Sequence, residues 1–312
     1  MEARTVASLP RSLSVLGVEV GPMVLRLGSS PEPRVTVELL RRARAAGVTL
    51  FDTEAGAASA RAERWIGTVF PEPEKDVVVA TAAPANFSEM SEPLGHRALD
   101  AVRHRLGGRS PDLIYFDGAT VRDPAKLRAA ADLARRCEME GWGIRLPAGP
   151  EAPELAQRAL DTGASAVKLG YNLLEPSPGE SILAACERAG AAGLVTNVHA
   201  TGLLDGSLFR SSPADRPAPP VSFREMESRY APVLALGFLT VDGRRTLAQA
   251  AIQFAAVTPG VASVLISPDS APVLEEFLGS MGAPPLTEAE RGRITARSGD
   301  ARPELPSIPG PG

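Results

Sequence analysis

The segment Leu40–Glu54, LRRARAAGVTLFDTE, decides the fold of this chain. Its first half continues a run in which leucines and alanines recur at helical spacing, which predicts a helix over Val35–Ala46. Gly47 follows where a left-handed C′ residue is expected and stops that helix. Thr49–Asp52 is then a short apolar strand that finishes on a carboxylate. Helix, glycine and strand together form one step of an α/β chain.

The same step repeats in both directions. Strand-like runs fall at Met23–Leu27, Val77–Thr81, Leu113–Phe116, Gly143–Leu146, Ala166–Leu169, Gly193–Thr196 and Val261–Ile266. Helical-period segments separate them, at Ala62–Val69, His96–Leu106, Ala125–Glu140, Leu155–Thr162, Ile182–Ala189, Tyr230–Gly237, Leu247–Val257 and Val273–Ser280. Eight strand–helix units predict an α/β fold, a closed parallel (β/α)8 TIM barrel. An open doubly wound sheet is the alternative, but the G-x-G-x-x-G fingerprint that often follows its first strand is missing. A single barrel domain is expected over residues 1–296. The Pro-rich stretch Asp205–Pro220 would overhang the mouth, and residues 297–312 read as a disordered Pro/Gly-rich tail.

Composition bounds the partners. The 312 residues carry a net charge of -4, which offers no basic footprint for nucleic acid. No apolar run approaches the roughly 20 residues of a membrane span. Met1–Pro10 has no signal-peptide core, and Cys137 and Cys186 are isolated in helical segments, so a cytoplasmic setting is expected. A small-molecule substrate is the expected partner. Oligomeric state is not readable.

In a TIM barrel the chemistry sits at the C-terminal ends of the strands. Strand side chains alternate faces, so Glu54 can share the mouth with Asp52, and Asp117 shares a face with Tyr115. Arg26, Arg145 and Lys168 lie at or near strand ends, and Asn197 and His199 follow the seventh strand. Lys168 is the sharpest signal. It interrupts the apolar run Ala166–Leu169, in a chain whose other lysines are Lys75 and Lys126. A buried ammonium is costly without a partner. Lys168 is therefore either a salt-bridge partner of Asp52 or a functional anion ligand or acid/base. Arg145 either pairs with Asp117 or Glu54 or grips an anionic substrate. Arg26 reads as an internal ion pair. His96 and His104 read as surface residues, and no ligand spacing argues for a metal.

Six ordered segments resemble the aldo-keto reductase superfamily: LRRARAAGVTLFDTE (40–54), AERWIGTVF (62–70), DLIYFD (112–117), VKLGYNLLEP (167–176), TGLLDG (201–206) and VASVLISPDSAPVLEEFL (261–278). The resemblance implies a barrel and a reductase whose Tyr acid is tuned by a Lys, held by an Asp, with a His orienting the carbonyl. Only the Asp stands here, as Asp52. Ala57 occupies the Tyr position, Thr81-Ala82 the Lys position and Asp117 the His position. The family's nicotinamide contacts are altered too, to Arg145-Leu146, Lys168 and Thr196, and at its adenosine end Asp269 and Phe277 replace a basic residue and an Asn.

The leading expectation is therefore a repurposed enzyme that uses no cofactor. It would perform elimination, isomerisation or cyclisation on a small polar or anionic substrate. Its catalytic residues would be Asp52, Asp117 and Lys168, with Glu54, Tyr115, Arg145, Asn197 and His199 binding substrate. The alternatives are an NADPH-dependent reductase with a rearranged site and a non-catalytic binding protein.

Overall fold

The structure, a computed structural model, describes residues 1–9, 11–27, 34–54, 56, 58–71, 74, 76–207, 230–240 and 243–299. Eight parallel strands close into a barrel: β1 (Leu16–Glu19), β2 (Leu50–Asp52), β3 (Val78–Ala82), β4 (Leu113–Asp117), β5 (Trp142–Arg145), β6 (Ala166–Gly170), β7 (Ala192–Thr196) and β8 (Val261–Ile266). β8 pairs with β1 and seals the ring. The helices between them include α1 (Val20–Leu27), α2 (Arg34–Ala45), α3 (Ser59–Val69), α4 (Glu92–Arg105), α5 (Pro124–Arg136), α6 (Ala152–Asp161), α7 (Gly179–Ala189), α8 (Leu247–Ala256), α9 (Ala271–Leu278) and α10 (Glu288–Gly299). The (β/α)8 expectation holds. Gly47 ends its helix with φ of 91°.

The first strand departs from the sequence reading. Residues Met23–Leu27 are helical, inside α1, and β1 lies before them at Leu16–Glu19. A short run that is apolar throughout fits a buried helix as well as a strand, and Pro22 in the first turn costs a helix little. The correction matters because it places Glu19 at a strand end. α10 runs to Gly299, so residues 297–299, expected in the tail, are helical. Residues 300–312, most of the Pro-rich stretch (208–220), and Ala57 lie outside the described residues.

Two apolar clusters hold the barrel. The larger fills the layer between strands and helices, with Leu16, Phe51, Val79, Ile114, Ile144 and Val264 fully covered. The smaller lies inside the ring and includes Leu50, Val78, Leu113, Ala166, Leu194 and Leu265. An N-terminal hairpin, Ala3–Arg4 against Leu13–Ser14, packs Val6 and Leu13 onto that inner cluster and closes the bottom. Arg4 fixes it by donating to the carbonyls of Val261 and Ala256, both at 2.7 Å. The bottom is thus plugged, and the opposite end is free for chemistry.

Close approach between α7 and β8 depends on Gly260. Its φ is 82°, its carbonyl accepts from Gly193 N–H at 3.0 Å, and a Cβ there would lie 2.0 Å from the Leu183 carbonyl oxygen. Gly260→Ala is therefore expected to lower the unfolding free energy by about 1–3 kcal/mol, measured by urea denaturation. An unchanged midpoint would contradict this packing.

Candidate functional site

Register brings the charges together. Glu19 pairs with Asp52 across β1 and β2, and Asp117, Arg145 and Lys168 are successive neighbours across β4, β5 and β6. Two groups of like and opposite charge thus face each other over the upper barrel. Inside the ring, alanines such as Ala80 and Ala166 and the glycine Gly143 leave room for the long side chain of Lys168.

Lys168 is the centre. Its ammonium donates to Glu19 Oε1 at 2.7 Å, to Asp52 Oδ1 at 3.0 Å and to Glu54 Oε2. Lys168, Asp52 and Glu19 have side-chain exposures of 1%, 0% and 8%, so this is an interior ion cluster with little solvent screening. Burial works against the lysine's charge, but Asp52, Glu19 and Glu54 outweigh it and hold its pKa above the ordinary value. The ammonium persists throughout the physiological range. The salt-bridge reading of Lys168 is therefore what the geometry shows, with two further carboxylates added.

The carboxylates are not equivalent. Burial pushes Glu19 up to about 8, against the pull of Lys168 and with the help of Glu54 and Asp52. Asp52 is also raised, first by burial. Glu54 is resisted by burial, yet Lys168, Glu19 and Arg145 together hold it down at about 2. Neighbouring acids with pKa values driven apart are the usual arrangement of an acid beside a base.

Glu54 reaches the cluster through a strained backbone. Its φ is 60°, and its N–H donates to Asp52 Oδ1 at 2.6 Å. Gly21, in the first turn of α1, makes space for it: a Cβ there would lie 2.5 Å from the Glu54 Cβ and 2.7 Å from the Thr53 carbonyl. A left-handed non-glycine residue costs on the order of 1–3 kcal/mol, and the Lys168 contact is what such strain serves.

Arg145 links a second pair. It donates to Asp117 Oδ2, and its Nε lies 3.7 Å from Glu54 Oε1. The three acids Asp52, Glu54 and Asp117 are thus divided: Glu19 joins the first two on Lys168, while Asp117 belongs to Arg145. Tyr115 sits inside the ring, 2% exposed, with its ring 5.6 Å from the Lys168 ammonium. Its hydroxyl and Asp52 Oδ2 are buried without a hydrogen-bond partner. Burial and the Asp52 charge push the phenol pKa well above its usual range. Tyr115 therefore packs against the cluster from within the ring.

Asn197 and His199 stand apart. Asn197 has φ of 53° and its Oδ1 accepts from Thr201 N–H at 2.6 Å, so it braces the turn after β7. His199 stacks on Phe277 at 4.3 Å between centroids. Both line a groove of about 390 Å³ over β7 and β8, together with Glu19, Thr196, Gly202 and Ser267. A second cavity of about 630 Å³ opens between the loops after β5 and β6. The Arg26 side chain, expected in an internal ion pair, lies outside the described side chains.

Glu19 is the residue that sequence reading missed. Besides Lys168, it accepts from the Thr196 hydroxyl at 2.9 Å and 3.0 Å. Its signal was available: an acid ending the short alternating run Leu16–Glu19, as Lys168 interrupts its own.

The groove can be tested against a nicotinamide dinucleotide. Thr201, Ser207 and Ser267 supply hydroxyls, Gly202 supplies close backbone, and α9 begins beside it with no side chain capping its first turn. An uncapped helix N-terminus suits a diphosphate. These groups fit the class. Asp269, which accepts from the Ser270 hydroxyl at 3.0 Å, is the feature least suited to an extra phosphate.

Comparison with known proteins agrees with the fold. Two solved forms of an aldo-keto reductase from Bacillus halodurans, apo and holo, superpose with TM-scores of 0.70 and 0.71. Each is 20% identical and covers 97% of this chain and 98% of the other. The glycerol dehydrogenase of Gluconobacter oxydans gives 0.77 at 16% identity, covering 99% of both chains. No curated protein sequence matches significantly. Among the described residues no helix is long and apolar enough to cross a membrane. The aldo/keto reductase family model matches residues 21–298. The expectation that no cofactor is used is corrected by that match and by the holo form of the Bacillus halodurans reductase. With the match running through every strand from β2 to β8, the chain belongs to the aldo/keto reductase family.

Proposed function

We propose that the chain is a nicotinamide-dependent oxidoreductase acting on a small carbonyl compound or its alcohol, with its acid–base centre moved to the cluster around Lys168. The observation that carries this is the contact of Asp52 with Lys168 at 3.0 Å. The family pairs its Asp with a Lys from β3. Here the Asp keeps its place, and the lysine comes from β6 instead.

Thr201, Gly202, Ser207, Ser267 and the N-terminus of α9 would hold the dinucleotide, and a reduced nicotinamide bound there supplies a hydride. The chain's own task is then the proton and the charge. Asp52 and Glu54 fix the ammonium of Lys168 under the mouth, where it steadies the charge of the acids that exchange a proton with the substrate. Arg145, 35% exposed and partly neutralised by Asp117, stands at the rim, where it can orient a polar substrate. Helices and loops around the groove restrict water, which strengthens each of these interactions.

Two outcomes are expected. Fluorescence titration with NADPH and, separately, NADH should show saturable binding of at least one, with Kd on the order of 1–100 µM. Silence for both up to millimolar concentration would contradict the proposal. Lys168→Met should cost about 3–5 kcal/mol of stability at pH 8, because three carboxylates lose their cation. In that variant the carboxyl pKa values rise further, so the native state binds protons the unfolded chain does not. Stability then falls as pH rises through that window, and the loss should shrink at pH 5. A loss of equal size at both values, in urea denaturation, would show that charge compensation is not the role of Lys168.

A further inference from the structure

Three carboxylates converge on one ammonium. Glu19, Asp52 and Glu54 each place an oxygen within 4.8 Å of the others, and all three contact Lys168. Arg145 reaches toward Glu54, but Asp117 already engages it. In so dry a place the surplus negative charge is relieved by keeping a proton on one of the acids.

Contacts and access together point to one acid. Asp52 accepts on Oδ1 from Lys168 and from the backbone N–H of Glu54, two donors that cannot reverse, and its Oδ2, without a partner, does not line the groove over β7 and β8. Glu54 faces Lys168 and Arg145, both cations. Glu19 faces Lys168 and the Thr196 hydroxyl, which can turn and accept instead. Of the three, Glu19 alone lines the groove over β7 and β8.

We propose that Glu19 is the catalytic proton donor of this site, replacing the tyrosine that the family places after β2; this rests on the oxidoreductase function above. In the reducing direction a reduced nicotinamide held in the groove would supply a hydride to the carbonyl carbon, and the C=O π pair would move onto the oxygen. The O–H bond of the Glu19 carboxyl breaks, and its proton forms the new O–H bond on the substrate oxygen. The electron pair left on Glu19 makes a carboxylate that Lys168 stabilises at 2.7 Å and Thr196 at 2.9 Å. In the oxidising direction the same carboxylate takes the alcohol proton.

Glu19 meets charge from two strands and the segment after one of them. Lys168 comes from β6, Asp52 from β2 and Glu54 from the segment after it. From β7 and β8 come only hydroxyls, Thr196 on the carboxyl and Ser267 on the Glu19 backbone carbonyl. His199 and Asp205 share the groove beyond. Burial outweighs the single cation and pushes the acid up to about 8, so it holds its proton at neutral pH and can release it nearby.

Infrared titration tests this without turnover. The protein alone at pH 6 to 7 should show the carbonyl stretch of a neutral carboxyl group, titrating out near pH 8 and missing from Glu19→Gln. Absence of that band in the wild type, or its persistence in the variant, would overturn the assignment. With the cofactor that binds, Glu19→Gln should retain binding and lose about 100- to 10,000-fold in kcat across a panel of aldehydes and ketones, and Glu19→Asp should recover part of it. Wild-type protein that binds neither nicotinamide would overturn the oxidoreductase function itself. Wild-type binding with undiminished kcat in Glu19→Gln would overturn the role of Glu19 alone. If Glu19→Gln does not fold, the band and its titration in the wild type, with kcat of Glu19→Asp, still decide the outcome.

Discussion

A fully buried ammonium cannot stand alone. Moving such an ion from water into a protein interior costs several kcal/mol even after relaxation, and only close carboxylates repay it. Lys168 is that ion here, and its neighbours follow from the need to hold it. Asp52 lies at the end of β2, Glu19 beside it in register, and Glu54 bends back through a left-handed backbone to complete the shell. Gly21 is a glycine because Glu54 needs the space. The paired acids Glu19 and Asp52 would repel one another at adjacent strand ends if Lys168 did not lie between them.

The same requirement links the barrel to its chemistry. A parallel ring sets strand ends side by side, so residues distant in sequence meet at one face. Within the family this fold carries a Tyr, a Lys, an Asp and a His. In this chain the lysine arrives from β6, an acid from β1 stands beside it and takes the place of the missing hydroxyl in the role we propose, and an Arg–Asp pair occupies the position of the family His. The ring interior tolerates the exchange because small residues such as Ala80, Gly143 and Ala166 surround the Lys168 stem.

Much of this was legible in the residues, and for identifiable reasons. Seven of the barrel strands were readable because β-branched and apolar runs alternate with helical periods. Lys168 was readable because a cation inside Ala166–Leu169 has no innocent place in a strand. Its pairing with Asp52, and that of Arg145 with Asp117, were among the alternatives that the sequence left open and are the contacts observed. β1 was not readable, because it is four residues long, contains Gly17, and precedes the more strongly apolar Met23–Leu27, which is helix. With β1 misplaced, Glu19 was hidden. Asn197 and His199 do line the groove over β7 and β8, although strand periodicity does not extend into their turn, which has positive φ at Asn197, Ala200 and Thr201. The cofactor expectation failed because it assumed that a lost contact at one position cannot be replaced from another.

The charge state of Lys168 tests the whole account most directly. The chain has only three lysines, so ¹⁵N-lysine labelling yields three resolvable side-chain signals. As pH rises past the ordinary lysine pKa of about 10.4, one signal should remain a protonated, slowly exchanging ammonium while the protein stays folded. If all three deprotonate together in the ordinary range, the buried ammonium and the three-carboxylate shell built on it are contradicted.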